Sequence, residues 1–237
     1  MKPEEALTEL TVQASDGHKA GIPPPPFSDG INRSYFLLRR WIAIIALILP
    51  VALWVGDGPW PHSSISEYYH SPGGWSRDVL VGSLSAVGFF LFFYRGYSKS
   101  EDIVLNLAGL SAVLVAFAPM PWPGTGADPR LIPLGPIPLH GLSAALLFLF
   151  IAYVCIFRSE QTLKLLHDPK QRASFRLHYR ILGTLMVAVP ASIFAIHLLS
   201  RRTERSLVVF SLETAGIIVF ALYWLEKSRE IAVIQRQ

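Results

Sequence analysis

"IPLHGLSAALLFLFIAYVCIF", residues 137–157, contains one histidine and no lysine, arginine, aspartate or glutamate in 21 positions. A helix built from it is apolar on every face, so water cannot be its solvent on any side. An apolar block of this length reads as a membrane span. Five further blocks are of the same kind: 35–55, 78–97, 102–120, 178–200 and 206–227. Each block is about 19 to 23 residues long, enough at about 1.5 Å per residue to cross a hydrocarbon core of about 30 Å. Lipid offers no hydrogen-bond partners, so an open strand would leave its backbone groups unpaired. The expected fold is therefore an all-α integral membrane protein, a bundle of six transmembrane helices.

Composition agrees. The chain has 237 residues, 51% hydrophobic and 16% charged, against about 25% charged in ordinary soluble domains. Its one cysteine, Cys155, lies inside the quoted block, which excludes an internal disulfide framework and a multi-cysteine metal site. No cleaved signal peptide is expected, because the first apolar block follows a polar tail and is long enough to span. The arginine pair in "LLRRW" reads as the positively charged flank of that span.

An even number of spans puts both termini on one side. Sixteen of the 21 lysines and arginines then fall on that side, and the positive-inside rule makes it cytoplasmic. The exception is "SRRTERS" at 200–206, with three arginines in an outer loop. Trp54, Trp60, Trp75 and Trp122 fall near the outer interface and Trp41 and Trp224 near the inner one, where aromatic belts form. The net charge of +4 is accounted for by anionic lipid at the cytoplasmic face and calls for no nucleic acid. The expected partners are membrane lipids, together with a membrane protein or a second copy of the chain. The expected location is the cell membrane, as a multi-pass protein of the bacterial inner membrane.

Residues 1–34 read as a disordered, proline-rich cytoplasmic tail, 35–228 as the membrane domain and 229–237 as a short cytoplasmic tail. "GIPPPPF" at 21–27 favours polyproline II. Ala108, Ala112 and Ala116 form a small-residue stripe that lets a neighbouring helix approach closely. Pro190 is expected to kink the fifth helix. The proline- and glycine-rich stretch 119–140 is expected to fold back over the outer helix ends as a lid, with Pro138 in the first turn of the fourth helix.

On this topology the ionisable residues gather in the outer half. Glu67 and His70 lie in the first outer loop, within "SSISEYYHSPGGWSRD" at 63–78, and Asp78 opens the second helix with Ser76 or Asp78 as its cap. His140 and His197 lie near outer helix ends, and Glu213 sits about 11 Å below the start of the sixth helix. Intramembrane ionisable groups are costly and mark function. Glu67, His70, His140 and His197 have the chemistry of a ligand set for zinc or another divalent metal, and Ser66, Asp78 and Glu213 that of catalytic groups. The plainer reading of Glu213 is a neutral carboxyl hydrogen-bonded to a neighbouring helix. His167 and His178 fall in the cytoplasmic basic segment "HDPKQRASFRLHYR", where Arg176 and Arg180 reach for phosphate headgroups.

"SSISEYYH", "RDVLVGSLSAVGFFLFFYRGY", "NLAGLSAVLVAFAP" and "HGLSA" resemble uncharacterised bacterial six-helix membrane proteins of the domain of unknown function 998 type. That resemblance spans roughly residues 35 to 225 and implies the fold but no activity. Ser66-x-x-x-His70 followed by Asp78 is similar, more faintly, to membrane hydrolases of the alkaline ceramidase and adiponectin receptor superfamily, which imply a zinc-bound water acting on lipid amides. Those proteins carry an H-x-x-x-H pair and a seventh helix, which this chain lacks, so His140 and His197 would have to stand in. Three functional classes follow: an accessory or lipid-interacting membrane subunit, a metal-dependent outer-leaflet lipid hydrolase or transferase, and a small-solute transporter using Glu213 and Asn106.

Overall fold

The helices begin and end where caps and chain breaks put them, which shifts several bounds from the hydropathy blocks. In the computed structural model the described residues are 26–58, 62–120, 133–134, 137–199 and 207–237. They contain six helices long and apolar enough to cross a membrane. These are α1 (Pro26–Asp57), α2 (Trp75–Phe93), α3 (Lys99–Phe117), α4 (Leu139–Leu163), α5 (Pro169–Leu199) and α6 (Leu207–Ile234). A 3-10 helix, Ile65–His70, lies between α1 and α2. Met1–Phe36 and Leu37–Gln237 are separate compact units, and the packed bundle belongs to the second.

Helix α2 starts at Trp75, three residues before the hydropathy block. Its N-cap is Gly74 at φ +76°, with no side-chain cap bond. Asp78 and Ser76 are therefore inside the first turn, and neither is the cap. Only a residue without Cβ adopts that left-handed turn at little cost. Helix α3 starts at Lys99 because Ser98 Oγ accepts the Glu101 N–H, while the Glu101 carboxyl accepts the Tyr97 N–H at 3.0 Å. This exchange resembles a capping box. Helix α4 runs through a π-helical stretch, Val154–Arg158. Helix α5 continues through Pro190 and begins at Pro169, so "HDPKQRASFRLHYR" is mostly helix rather than loop. Of the stretch expected to form a lid, 121–132 and 135–136 lie outside the described residues. Pro133–Leu134 pairs antiparallel with Ile137–Pro138, and Pro138 is the N-cap of α4.

Helices α2 and α3 meet backbone to backbone. A Cβ on Gly88 would stand 2.9 Å from the Gly109 carbonyl oxygen, and one on Gly109 would stand 2.5 Å from that of Gly88. The Asn106 amide donates to the Phe92 carbonyl at 2.6 Å, satisfying one of the orphan carbonyls that end α2. Ala108, Ala112 and Ala116 are buried within the bundle. Under the loop end, Leu49, Leu53, Ile65, Tyr68 and Leu80 form one apolar cluster.

The outward surface is apolar as well. Ile48, Val55, Phe93, Ile103, Phe117, Phe157 and Leu177 are all more than half exposed, an arrangement stable only where the surroundings are hydrocarbon. Trp41, Trp54 and Trp75 are about half exposed, whereas Trp224 is only 1% exposed. Trp224 packs edge-on against Tyr94 and Tyr223, so it belongs to the core rather than to an interfacial belt.

Candidate functional site

The 62–74 segment closes one end of the bundle and is tied to four helices. Its 3-10 helix has Ser64 as N-cap with no side-chain cap bond. Glu213 of α6 supplies the missing acceptor: its Oε2 takes the Ile65 N–H at 2.5 Å. In return the Ser63 carbonyl accepts the Phe210 N–H at 2.9 Å, one of the four donors left over at the start of α6. Asp57 at the end of α1 accepts from Ser71 Oγ at 2.9 Å and Ser76 Oγ at 3.3 Å, and it contacts His62 Nε2 at 2.5 Å.

Ser66 and His140 meet inside this frame. His140 Nε2 is 2.9 Å from Ser66 Oγ, and His140 Nδ1 is 2.8 Å from the Ala118 carbonyl oxygen. A carbonyl oxygen only accepts, so Nδ1 of the neutral ring carries the proton. The Nε2 lone pair then faces Ser66. Ser66 has one hydroxyl proton and two acceptors, His140 Nε2 at 2.9 Å and Glu213 Oε1 at 3.4 Å. The His140 contact is the shorter of the two. Ser66 is half-buried and His140 buried.

The remaining candidates go elsewhere. His70 Nε2 donates to the Met120 carbonyl at 2.8 Å. Glu67 accepts the Ser63 N–H at 2.9 Å and stands 3.8 Å from His62 Nδ1. Asp78 is apart from all of them: its side chain is 75% exposed and pairs with Arg77 at 3.5 Å. His197 lies in the last turn of α5, and its side chain is outside the described residues. Among the described residues, no three His, Cys, Asp or Glu side chains converge so as to hold a metal ion. The donors of Glu67, His70 and His140 are each turned to a different structural partner. Burial raises the pKa of the Tyr68 phenol beneath this segment.

A second polar cluster, at the end of the bundle opposite the 62–74 segment, has no counterpart in the sequence reading. Lys227 Nζ donates to Thr162 Oγ1 at 2.6 Å and to Glu230 Oε2 at 3.0 Å, with side-chain exposures of 3% for Lys227 and 0% for Glu230. Tyr179 also donates its hydroxyl to Glu230. The ammonium lies over the rings of Tyr97 and Tyr179. Arg39 Nε donates to the Tyr94 hydroxyl at 2.9 Å. Burial pushes the Tyr94 phenol up to about 12, with the Arg39 charge pulling the other way. His178 Nδ1 stands 2.5 Å from Glu226 Oε1, and Arg229 donates to Oε2 of the same carboxylate at 2.8 Å.

Helix α6 therefore continues past Lys227, through residues 229–234. The legible signal was the i, i+3 pair Lys227 and Glu230 followed by the apolar "IAVI". Asp57 and His62 were missed for a different reason: nothing in their spacing shows that they meet. No family model matches the chain, and neither the curated proteins nor the solved structures contain a match.

Proposed function

We propose that the chain is a multi-pass membrane hydrolase or acyl transferase whose site is the loop end of the bundle. Ser66 is the nucleophile, His140 the general base, and a lipid ester or amide the substrate. One observation carries this reading: the 2.9 Å contact of Ser66 Oγ with a His140 ring whose other nitrogen is latched to the Ala118 carbonyl. A histidine fixed in that tautomer is the arrangement that activates a serine hydroxyl. Oγ bonds to the substrate carbonyl carbon as its proton passes to Nε2. The imidazolium then returns that proton to the leaving alcohol or amine. A water, or a second alcohol in a transferase, attacks the acyl-serine with the same ring as base.

Glu213 acts as a positioning residue. It holds Ile65, and with it the Ser66 backbone, through the N–H it accepts. Asp78 has no part in this site. The lipid substrate class is supported by the exposed Trp54, Val55, Trp75 and Leu207 around the same end, which present apolar surface at the rim. In this reading both termini are cytoplasmic and the site faces outward, as the distribution of basic residues indicates.

The test uses the purified protein in mild detergent with a fluorophosphonate probe and a panel of fluorogenic acyl esters. Labelling and turnover are expected in the native chain, and Ser66→Ala or His140→Ala should lower turnover by about 10³-fold or more. A folded native protein that neither labels nor turns over any ester or amide sinks the proposal.

A second reading is favoured by the capping bond of Glu213. The same contacts hold the 62–74 segment as a recognition surface for lipid or for a membrane partner, as in an accessory subunit. In that case Ser66→Ala changes thermal stability and partner recovery while no catalytic readout exists.

A further inference from the structure

We propose that α4 and α5 form a docking site for one anionic phospholipid at the end of the bundle opposite the 62–74 segment, with its phosphate held between Arg158, Arg176 and Arg180. Arg176 and Arg180 are four residues apart and share one face of α5. Both turn toward a single acceptor on α4: Glu160 Oε1 lies 3.1 Å from Arg176 Nε and 4.0 Å from Arg180 Nη2. One carboxylate facing two guanidiniums leaves positive charge uncompensated where the two helices meet. The two side chains remain 43% and 65% exposed.

Arg158 ends the π-helical stretch of α4, which packs against α5. Its Nη2 donates to the Tyr153 hydroxyl at 3.0 Å, and its guanidinium lies 5.5 Å from that ring's centroid. The aromatic plane holds the cation near the helix surface instead of letting it extend into water.

Directly membrane-ward of these cations the surface is apolar and open. Tyr153 packs on Phe157, which is 63% exposed, and beyond Arg180 on α5 Ile181 is 49% and Leu185 40% exposed. Cations at headgroup level above an uncovered apolar wall match a ligand with a phosphate and acyl chains. A free anion would leave the wall bare. Guanidinium forks suit phosphate oxygens better than ammonium groups do. Charge selects the lipid, because basic side chains near an anionic leaflet attract it.

Native mass spectrometry of the full chain, released from micelles doped with phosphatidylglycerol or phosphatidylcholine, tests this. At least one phosphatidylglycerol should stay bound where phosphatidylcholine does not. The triple variant Arg158→Gln/Arg176→Gln/Arg180→Gln should lose about tenfold or more in retention. The control Lys164→Gln/Lys170→Gln, which removes nearby charge outside the site, should retain the lipid. Equal retention of the two lipids overturns the proposal, as does an equal loss in the control, which would indicate diffuse attraction. Full displacement by millimolar inorganic phosphate also overturns it, in favour of a free-anion site. If the triple variant does not fold, the exposed Arg180→Gln alone should cost about threefold or more. No loss in that variant counts against the site.

Discussion

Glu213 shows how one buried carboxyl is used at the residue scale. Replacing it with alanine strands the Ile65 N–H in a closed end of the bundle, at a cost of about 1–3 kcal/mol. Glu213→Gln keeps an acceptor oxygen at the same reach. We expect Glu213→Ala to lower the melting temperature clearly and Glu213→Gln to stay close to the native value, as measured by thermal unfolding in detergent. Equal losses in the two variants would mean that the charge, and not the cap, is what the 62–74 segment needs. A carboxyl at this depth was legible as unusual because it interrupts an apolar run. Its partner was not legible: Ile65 is 148 residues away, and its N–H is a backbone group that no side-chain pattern announces.

Among the elements, the α2–α3 hairpin depends most on close approach. Gly88 and Gly109 face each other so closely that any Cβ must push the opposite backbone away. In hydrocarbon there is little hydrophobic gain from helix association, so packing contacts carry it. Gly88→Val or Gly109→Val should cost about 1–3 kcal/mol or more through overpacking. Gly82, where an added Cβ would meet nothing within 4 Å, should accept alanine with little change. Thermal unfolding of the three variants distinguishes a specific contact from a general dislike of larger residues. The alanine stripe on α3 was readable from its four-residue spacing. The glycine pair was not, since each glycine is isolated in its own helix and only the pairing of α2 with α3 gives it meaning.

At the largest scale, the bundle Leu37–Gln237 is tied at both ends by polar clusters, with apolar packing between them. The Lys227–Glu230 pair with Thr162 and Tyr179 draws α4, α5 and α6 together at the end opposite the 62–74 segment. Removing one member of a buried pair leaves the other charge uncompensated, at about 3–5 kcal/mol. Lys227→Met should therefore destabilise strongly, while Lys227→Met/Glu230→Met should recover much of the loss. A double variant as unstable as the sum of the singles would show that the two charges are uncoupled.

The same scale sets the orientation in the membrane. Cys155 is buried, so it gives little background to thiol labelling. Pro72→Cys and Arg236→Cys, both at exposed positions, should react with a membrane-impermeant maleimide from opposite sides. Labelling of both from one side would contradict the five crossings, α2 to α6, that separate the two positions.

Six spans were determined by the sequence alone, because a run of about 20 apolar side chains has no stable place in water and needs no long-range information to be recognised. Which polar groups meet was decided only by the tertiary structure. Ser66 finds His140 across 74 residues, and Lys227 finds Thr162 across 65. The four candidate metal ligands share a side of the membrane in sequence, yet those described face different partners. Hydropathy is a property of each segment taken singly. A hydrogen bond between helices depends on rotation and height, which are set by how Gly88, Gly109 and the α3 alanines let the helices pack.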